Sequence, residues 1–140
     1  MNNNLDIFLI TYNRRNYLEV TLNKVLGEDS PLKKYQITIL DNNSNDGTEE
    51  LCRSFESKFS NLKYIKNKRN VGLSGNICKA MEYAEKKYFW IMCDNDELDF
   101  SAWSEVEKAM EEDKDLILVC RYYYEGKDDK KHYDAFVLNQ

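Results

Sequence analysis

Residues 88–97 read YFWIMCDNDE: five large apolar residues, Tyr88 to Met92, and Cys93, running straight into Asp94-Asn95-Asp96-Glu97. An apolar run with no polar alternation is the pattern of a strand covered on both faces, and such strands belong to parallel sheets with helices on either side. The polar tetrad ends the strand and places two carboxylates one residue apart at its rim.

Working upstream, the same switch from a strand-like to a helix-like period occurs three times. Leu5 to Thr11 (LDIFLIT) precedes a helical stripe of Leu18, Leu22, Val25 and Leu26, stopped by Gly27 and Pro31. Tyr35 to Asp41 (YQITILD) breaks into the turn-rich Asn42–Gly47 and a helix with Leu51, Phe55 and Phe59 on one face. Leu62 to Lys66 precedes a loop over Asn67 to Gly75, then a helix with Ile77, Ala80, Met81 and Ala84 inward. Downstream, Trp103, Val106 and Met110 mark a fourth helix and Leu116 to Tyr124 a fifth strand, followed by a charged stretch from Glu125 to His132 expected to be a mobile loop. The alternation specifies an α/β fold, a mainly parallel sheet flanked by helices with right-handed crossovers. It is read as one domain over 1–124, with a charged, flexible segment over 125–140.

Composition narrows the function. Twenty-five acidic against twenty basic residues give a net charge of −5, which opposes binding to nucleic acid or to an anionic membrane. No apolar run reaches the length of a membrane span, and the N-terminus lacks the basic-then-apolar order of a signal peptide, so the chain is expected in the cytoplasm. Cys52, Cys78, Cys93 and Cys120 are widely spaced and sit in apolar patterns, so they are expected as buried small hydrophobes. His132 is the sole histidine, which argues against serine- or cysteine-histidine catalysis.

In open parallel sheets ligands bind outside the carboxyl ends of the strands. The four strands end in Thr11-Tyr12-Asn13-Arg14, in Asp41-Asn42-Asn43, before Arg69-Asn70-Val71-Gly72, and in Asp94-Asn95-Asp96. Asp94 and Asp96 suit Mg²⁺ or Mn²⁺, hard cations that bind through one or two carboxylates together with substrate phosphates. Asp41 is placed to accept hydrogen bonds from a base or ribose, although an Asx-turn or helix cap explains it equally well. Tyr12 offers a ring for stacking, and Arg14 and Arg69 offer donors. No glycine-rich turn follows the first strand, which excludes a dinucleotide dehydrogenase and a P-loop enzyme and lowers a sugar-phosphate nucleotidyltransferase. A phospho-acceptor signalling domain would want an acidic pair where Thr11-Tyr12-Asn13 stands.

Taken in order, ITYNR, LDNNSNDGTEEL, NKRNVGLSGNICKAMEYA and YFWIMCDNDEL resemble the family 2 glycosyltransferases of the Rossmann-like GT-A fold over residues 5 to 120. The resemblance implies a metal-dependent, inverting transfer of sugar from a UDP-, GDP- or dTDP-sugar to a saccharide or lipid-linked acceptor in cell-surface polysaccharide synthesis, with the full-length enzyme peripheral to the membrane. It implies that Thr11 and Tyr12 line the base pocket, with Arg14 beside them, and that Asp41 reads the base edge. Arg69, or else Lys68, contacts the nucleotide, and Asn70, Gly72 and Asn76 shape the donor pocket. Asp94 lies near the ribose with Asn95 beside it, and Asp94 and Asp96 hold the metal, Asp96 more directly. The family's catalytic base lies well downstream of its Asp-x-Asp motif. Only 44 residues follow Asp96 here, and Glu125, Asp128, Asp129 and Asp134 match no motif, so the catalytic residue is unassigned and the chain is expected to be truncated. The alternative is a non-catalytic module that binds a nucleoside diphosphate.

Overall fold

A computed structural model describes residues 4–113, 115, 119–125 and 130–136. The chain divides into two compact units, Met1–Ser101 and Ala102–Gln140. In the first, β1 (Leu5–Thr11), β2 (Gln36–Asp41), β3 (Leu62–Lys66) and β4 (Tyr88–Cys93) form a parallel sheet in the order β3-β2-β1-β4. Three helices connect them: α1 (Arg15–Val25), α2 (Thr48–Glu56) and α3 (Gly72–Tyr83), with a 3₁₀ turn at Pro31–Lys34. This is the expected fold class.

The two central strands, β1 and β2, are covered on both faces, whereas Tyr88–Cys93, expected to have no exposed face, is an edge strand of this sheet on which Phe89 is 45% exposed and Trp90 and Ile91 are half-buried. Phe8, Ile10 and Leu40 pack with Ala80 of α3, and Ile65, Ile77 and Ile91 fill in around them. The alternate residues Ile7, Leu9, Ile37 and Ile39 point to the opposite face and are fully buried there. Leu18, Leu22 and Val25, one stripe of α1, are fully buried too. Register brings the strand ends level: Thr11 pairs with Asp41, Asp41 with Lys66, and Ile10 with Cys93. Every polar strand-end residue therefore reaches the same rim.

Several expectations are corrected. The loop over Asn67 to Gly75 is shorter than expected, because α3 starts at Gly72, where the Asn70 side chain accepts the Gly72 N–H at 2.8 Å. Met81 is 53% exposed and Cys78 is exposed; the inward stripe of α3 runs through Asn76 and Ala80, one helical turn apart. Phe55 and Phe59 are only half-buried, with ring centroids 6.0 Å apart.

In the second unit α4 (Trp103–Glu111) buries Trp103 and Met110, while Val106 is half-buried. The fifth strand does not join the parallel sheet. β5 (Val119–Glu125) pairs antiparallel with β6 (Lys130–Phe136) in a two-stranded sheet, so Lys130 to His132 are strand and not loop. A short connection brings an antiparallel partner alongside, whereas parallel pairing needs a crossover of a dozen residues or more. The register sets Glu125 opposite Lys130 and Arg121 opposite Asp134. Residues 116–118 of the expected strand and 126–129 of the expected loop lie outside the described residues. No described helix is long and apolar enough to cross a membrane.

Candidate functional site

The rim is built from pairs of polar groups contributed by different strands. Thr11 Oγ1 donates to Asp94 Oδ2 at 2.7 Å, tying the end of β1 to the end of β4. From α1, Thr21 Oγ1 donates to the Asp94 carbonyl at 2.8 Å. Asp94 is thus held by backbone and side chain, and it is 4% exposed. Burial pushes its carboxyl above the ordinary aspartate value; the Thr11 bond and the Arg14 guanidinium oppose that, and Asp96 adds to it. Arg14 Nη1 stands 3.8 Å from Asp94 Oδ1, and its guanidinium lies 5.6 Å from the centre of the Tyr17 ring.

Asp96 is exposed. Its Oδ2 accepts the Cys93 N–H at 2.7 Å while its own N–H returns to the Cys93 carbonyl at 3.2 Å. The turn is closed on itself and presents one buried and one exposed carboxylate. Asn95 and Glu97 complete it, and with Tyr17, Val20 and Thr21 of α1 they line a cleft of about 600 Å³.

Asp41 is fully buried. Its Oδ1 accepts from Ser44 N–H at 2.9 Å and Ser44 Oγ at 2.6 Å, and its Oδ2 accepts from the Tyr64 hydroxyl at 2.6 Å. Ser44 Oγ in turn accepts the Asn13 N–H at 2.8 Å, and Asn13 Oδ1 accepts the Asn45 N–H at 2.9 Å. Asn13 holds a left-handed φ of 50°, which Asn tolerates better than most residues. The carboxylate expected at a base edge is therefore turned into the protein, where it fixes the loop after β2. Asp46 binds the starts of two helices, accepting from Arg15 N–H at 3.0 Å and from Thr48 Oγ1 at 2.6 Å.

The remaining sequence candidates fall into two groups. Asn70, Gly72 and Asn76 are joined through Asn42 and Asn67, neither of which sequence reasoning singled out. Tyr12, Lys68 and Arg69 are exposed on the rim. Thr21 and Tyr64 were likewise missed; both lie mid-element in stretches whose only local signal is packing. Among the described residues no group of three or more acidic, histidine or cysteine side chains gathers to hold a metal. Two carboxylates at one turn still fit a hard cation that takes its other oxygens from phosphates. Glu125 lies in β5 and Asp134 in β6, in the second unit, and Asp128 and Asp129 lie outside the described residues.

A model of glycosyl transferase family 2 matches residues 6–138. The chain is 30% identical over 112 residues to abequosyltransferase RfbV of Salmonella typhimurium, covering 79% of this chain and 34% of that protein. It thus spans about a third of the length of that relative. Among solved structures, S. aureus TarS 1–349 in complex with UDP-GlcNAc superimposes with a TM-score of 0.66 at 21% identity, over 78% of this chain and 31% of that one. The mannosyltransferase PcManGT from Pyrobaculum calidifontis, in complex with GDP-Man and Mn²⁺, gives 0.57 at 20% identity, over 65% and 27%. These two likenesses are of fold.

Proposed function

This chain belongs to glycosyl transferase family 2, and we propose that it forms the donor-binding part of an inverting enzyme that moves a sugar from a nucleoside diphosphate to a saccharide or lipid-linked acceptor. The observation that carries the reading is the Thr11–Asp94 bond at 2.7 Å. It fixes a carboxylate at the carboxyl ends of two adjacent parallel strands, with exposed Asp96 two residues on.

In this reading the Tyr12 ring stacks on the base, and Arg69, with Lys68 beside it, meets the nucleotide from the loop before α3. Arg14 and Asp94 lie at the ribose and diphosphate. Asp94 and Asp96 would hold Mg²⁺ or Mn²⁺, which when bound neutralises charge on the departing diphosphate. Asp41 acts by holding the Ser44 loop. The nucleotide sugars named with TarS and PcManGT support a donor of this class, and the Mn²⁺ named with PcManGT supports the cation. The name of the abequosyltransferase relative supports transfer of a sugar, and we extend the product to a cell-surface polysaccharide. We place the reaction in the cytoplasm, with the full-length protein peripheral to the membrane.

Calorimetric titration of UDP, GDP and dTDP into the chain, with and without Mn²⁺, tests the reading. Metal-dependent binding of one diphosphate, lost in Asp96→Asn, is the expected result. A folded chain that binds none of the three with Mn²⁺ present overturns it.

A further inference from the structure

Behind the exposed Lys68-Arg69 pair lies a chain of buried asparagine amides. Asn42, Asn67 and Asn76 are 4%, 4% and 2% exposed. Asn76 Nδ2 donates to the Leu40 carbonyl of β2 at 2.9 Å, and its Oδ1 accepts from Asn67 Nδ2 at 2.9 Å. Asn67 Nδ2 also donates to Asn42 Oδ1 at 3.1 Å, and Asn67 Oδ1 accepts from Lys79 Nζ at 2.9 Å.

Asn42 uses its whole bonding capacity. Its Oδ1 accepts a second bond from the Val71 N–H at 2.9 Å. Its Nδ2 donates to Asn70 Oδ1 at 2.8 Å and to the Gly72 carbonyl at 3.2 Å. An amide has two donors and two acceptor sites, and here all four meet partners. The backbone partners also fix its orientation: the Val71 N–H demands the oxygen and the Gly72 carbonyl demands the nitrogen. Three successive residues after Arg69 are thereby bound to one side chain that belongs to the end of β2. Gly72, whose φ of +76° is open to glycine at no steric cost, lets the chain turn from that grip into α3.

We propose that Asn42 is the positioning residue for donor binding: it never meets the nucleotide but sets the pose of the 68–72 loop, and so of Arg69, through three hydrogen bonds. This rests on the donor-site reading above. The alternative, that Asn42 only stabilises the fold, predicts a different pattern of coupling. If Asn42 acts through the loop, its removal and the removal of Arg69 spoil the same interaction and their effects do not add; effects of independent sites do add.

The test is a double-mutant cycle of Asn42→Ala and Arg69→Ala, read as affinity for the nucleoside diphosphate that the wild type binds. Amide hydrogen exchange at Val71 is followed in parallel. Each single change is expected to weaken binding about tenfold, the scale of one hydrogen bond to a charged group, and the double change by little more than either. Val71 loses exchange protection in Asn42→Ala but not in Arg69→Ala. If Asn42→Ala does not fold, Asn42→Asp takes its place, since it keeps the volume and both accepted bonds while opposing oxygen to Asn70 Oδ1 and to the Gly72 carbonyl. Additive losses, an unchanged affinity in Asn42→Ala, or retained Val71 protection overturns the inference while leaving the donor reading intact; an unchanged affinity in Arg69→Ala overturns the inference and removes Arg69 from the donor site. A wild type that binds no diphosphate overturns the donor reading and this inference with it, and Val71 protection then reports only whether the amide chain exists.

Discussion

Replacing Tyr64 by Phe removes one oxygen and nothing else from the core, and the structure says what that oxygen does. The Tyr64 hydroxyl donates to Asp41 Oδ2 at 2.6 Å, and Asp41 has no solvent exposure. In Tyr64→Phe, Oδ1 keeps both Ser44 bonds while Oδ2 loses the bond that satisfies it. A hydrogen bond to a charged group contributes about 1.5–3 kcal/mol, and the orphaned acceptor makes the upper half of that range the better guide. At about 2.5 kcal/mol, and a denaturant slope of about 2 kcal/mol per molar, the urea midpoint falls by about 1.2 M. A second observable comes from pH. The Tyr64 hydroxyl is held well above the usual phenol range, by burial first and by the bond to Asp41 next. Below the unfolded value of about 10 its contribution is fully present; above it the unfolded chain loses a proton that the folded chain keeps, and stability falls by up to about 1.4 kcal/mol per pH unit. The variant lacks that loss, so the gap between the two proteins narrows above pH 10. Urea titrations followed by circular dichroism at pH 7 and at pH 11 measure both. A midpoint within about 0.2 M of wild type at pH 7, with the gap unchanged at pH 11, refutes the account of Asp41 as a buried, bonded carboxylate.

The cysteines and Asp46 give two further outcomes. Cys78 is exposed, whereas Cys52 is buried with its thiol pushed up to about 12 by burial and the Asp41 charge; a thiol reagent at neutral pH is expected to label Cys78 fast in the native chain and Cys52 only on unfolding, as peptide mapping would show. Asp46→Ala strips acceptors from the first residues of α1 and α2 and is expected to cost about 1 kcal/mol, as loss of a helix cap does, read as a urea midpoint. Burial alone would raise the Asp46 carboxyl, but the bonds from Thr48 and Arg15 outweigh it and hold it low. Its contribution is therefore present above the unfolded aspartate value of about 3.9 and is lost as pH falls through the lower folded value, so Asp46→Ala and wild type converge in acid.

Three of the four parallel strands, β1, β2 and β4, were legible because each is a largely apolar run that ends abruptly in polar residues, and β3 (LKYIK) by its short alternation. Leu5–Thr11, Leu62–Lys66 and Tyr88–Cys93 stand where the runs place them. The start of α3 was not legible. Gly72-Leu73-Ser74-Gly75 has poor helix formers, and the helix begins there in a loop where Asn70 accepts the Gly72 N–H and Asn42, just after β2, binds the Gly72 carbonyl. Nor was the partner of β5, since Lys130–Phe136 carries too many charged residues to show a strand pattern. At the rim, the kind of side chain and not its exposure separates what was found from what was missed, since Thr11, Asp41, Asn76 and Asp94 were found and are buried. Tyr12, Arg14, Arg69 and Asp96 have side chains whose chemistry advertises a ligand. Asn42, Asn67 and Thr21 have side chains common in turns and helices, and their role depends on partners 25 to 73 residues away, which no local pattern encodes.

The division between buried and exposed residues explains how the rim works. A buried polar group is costly unless its bonds are made, so residues such as Asp41, Asn42, Asn76 and Asp94 are tolerated at the sheet end because each is held by partners from another segment. That requirement makes the rim stiff: moving the Ser44 loop breaks two bonds to Asp41, and moving Val71 breaks one to Asn42. Exposed Tyr12, Arg14 and Arg69 have no such constraint of their own, and ordering a long side chain on binding costs about 0.5–1.5 kcal/mol each. Their chain neighbours Asn13, Asn70 and Val71 are bonded to the buried layer, which confines that cost to the side chains, since the loops need not be ordered as well. Sites of this kind are therefore sensitive one layer back: a conservative change in the buried amides should weaken a ligand they never touch, while leaving every ligand-facing side chain in place.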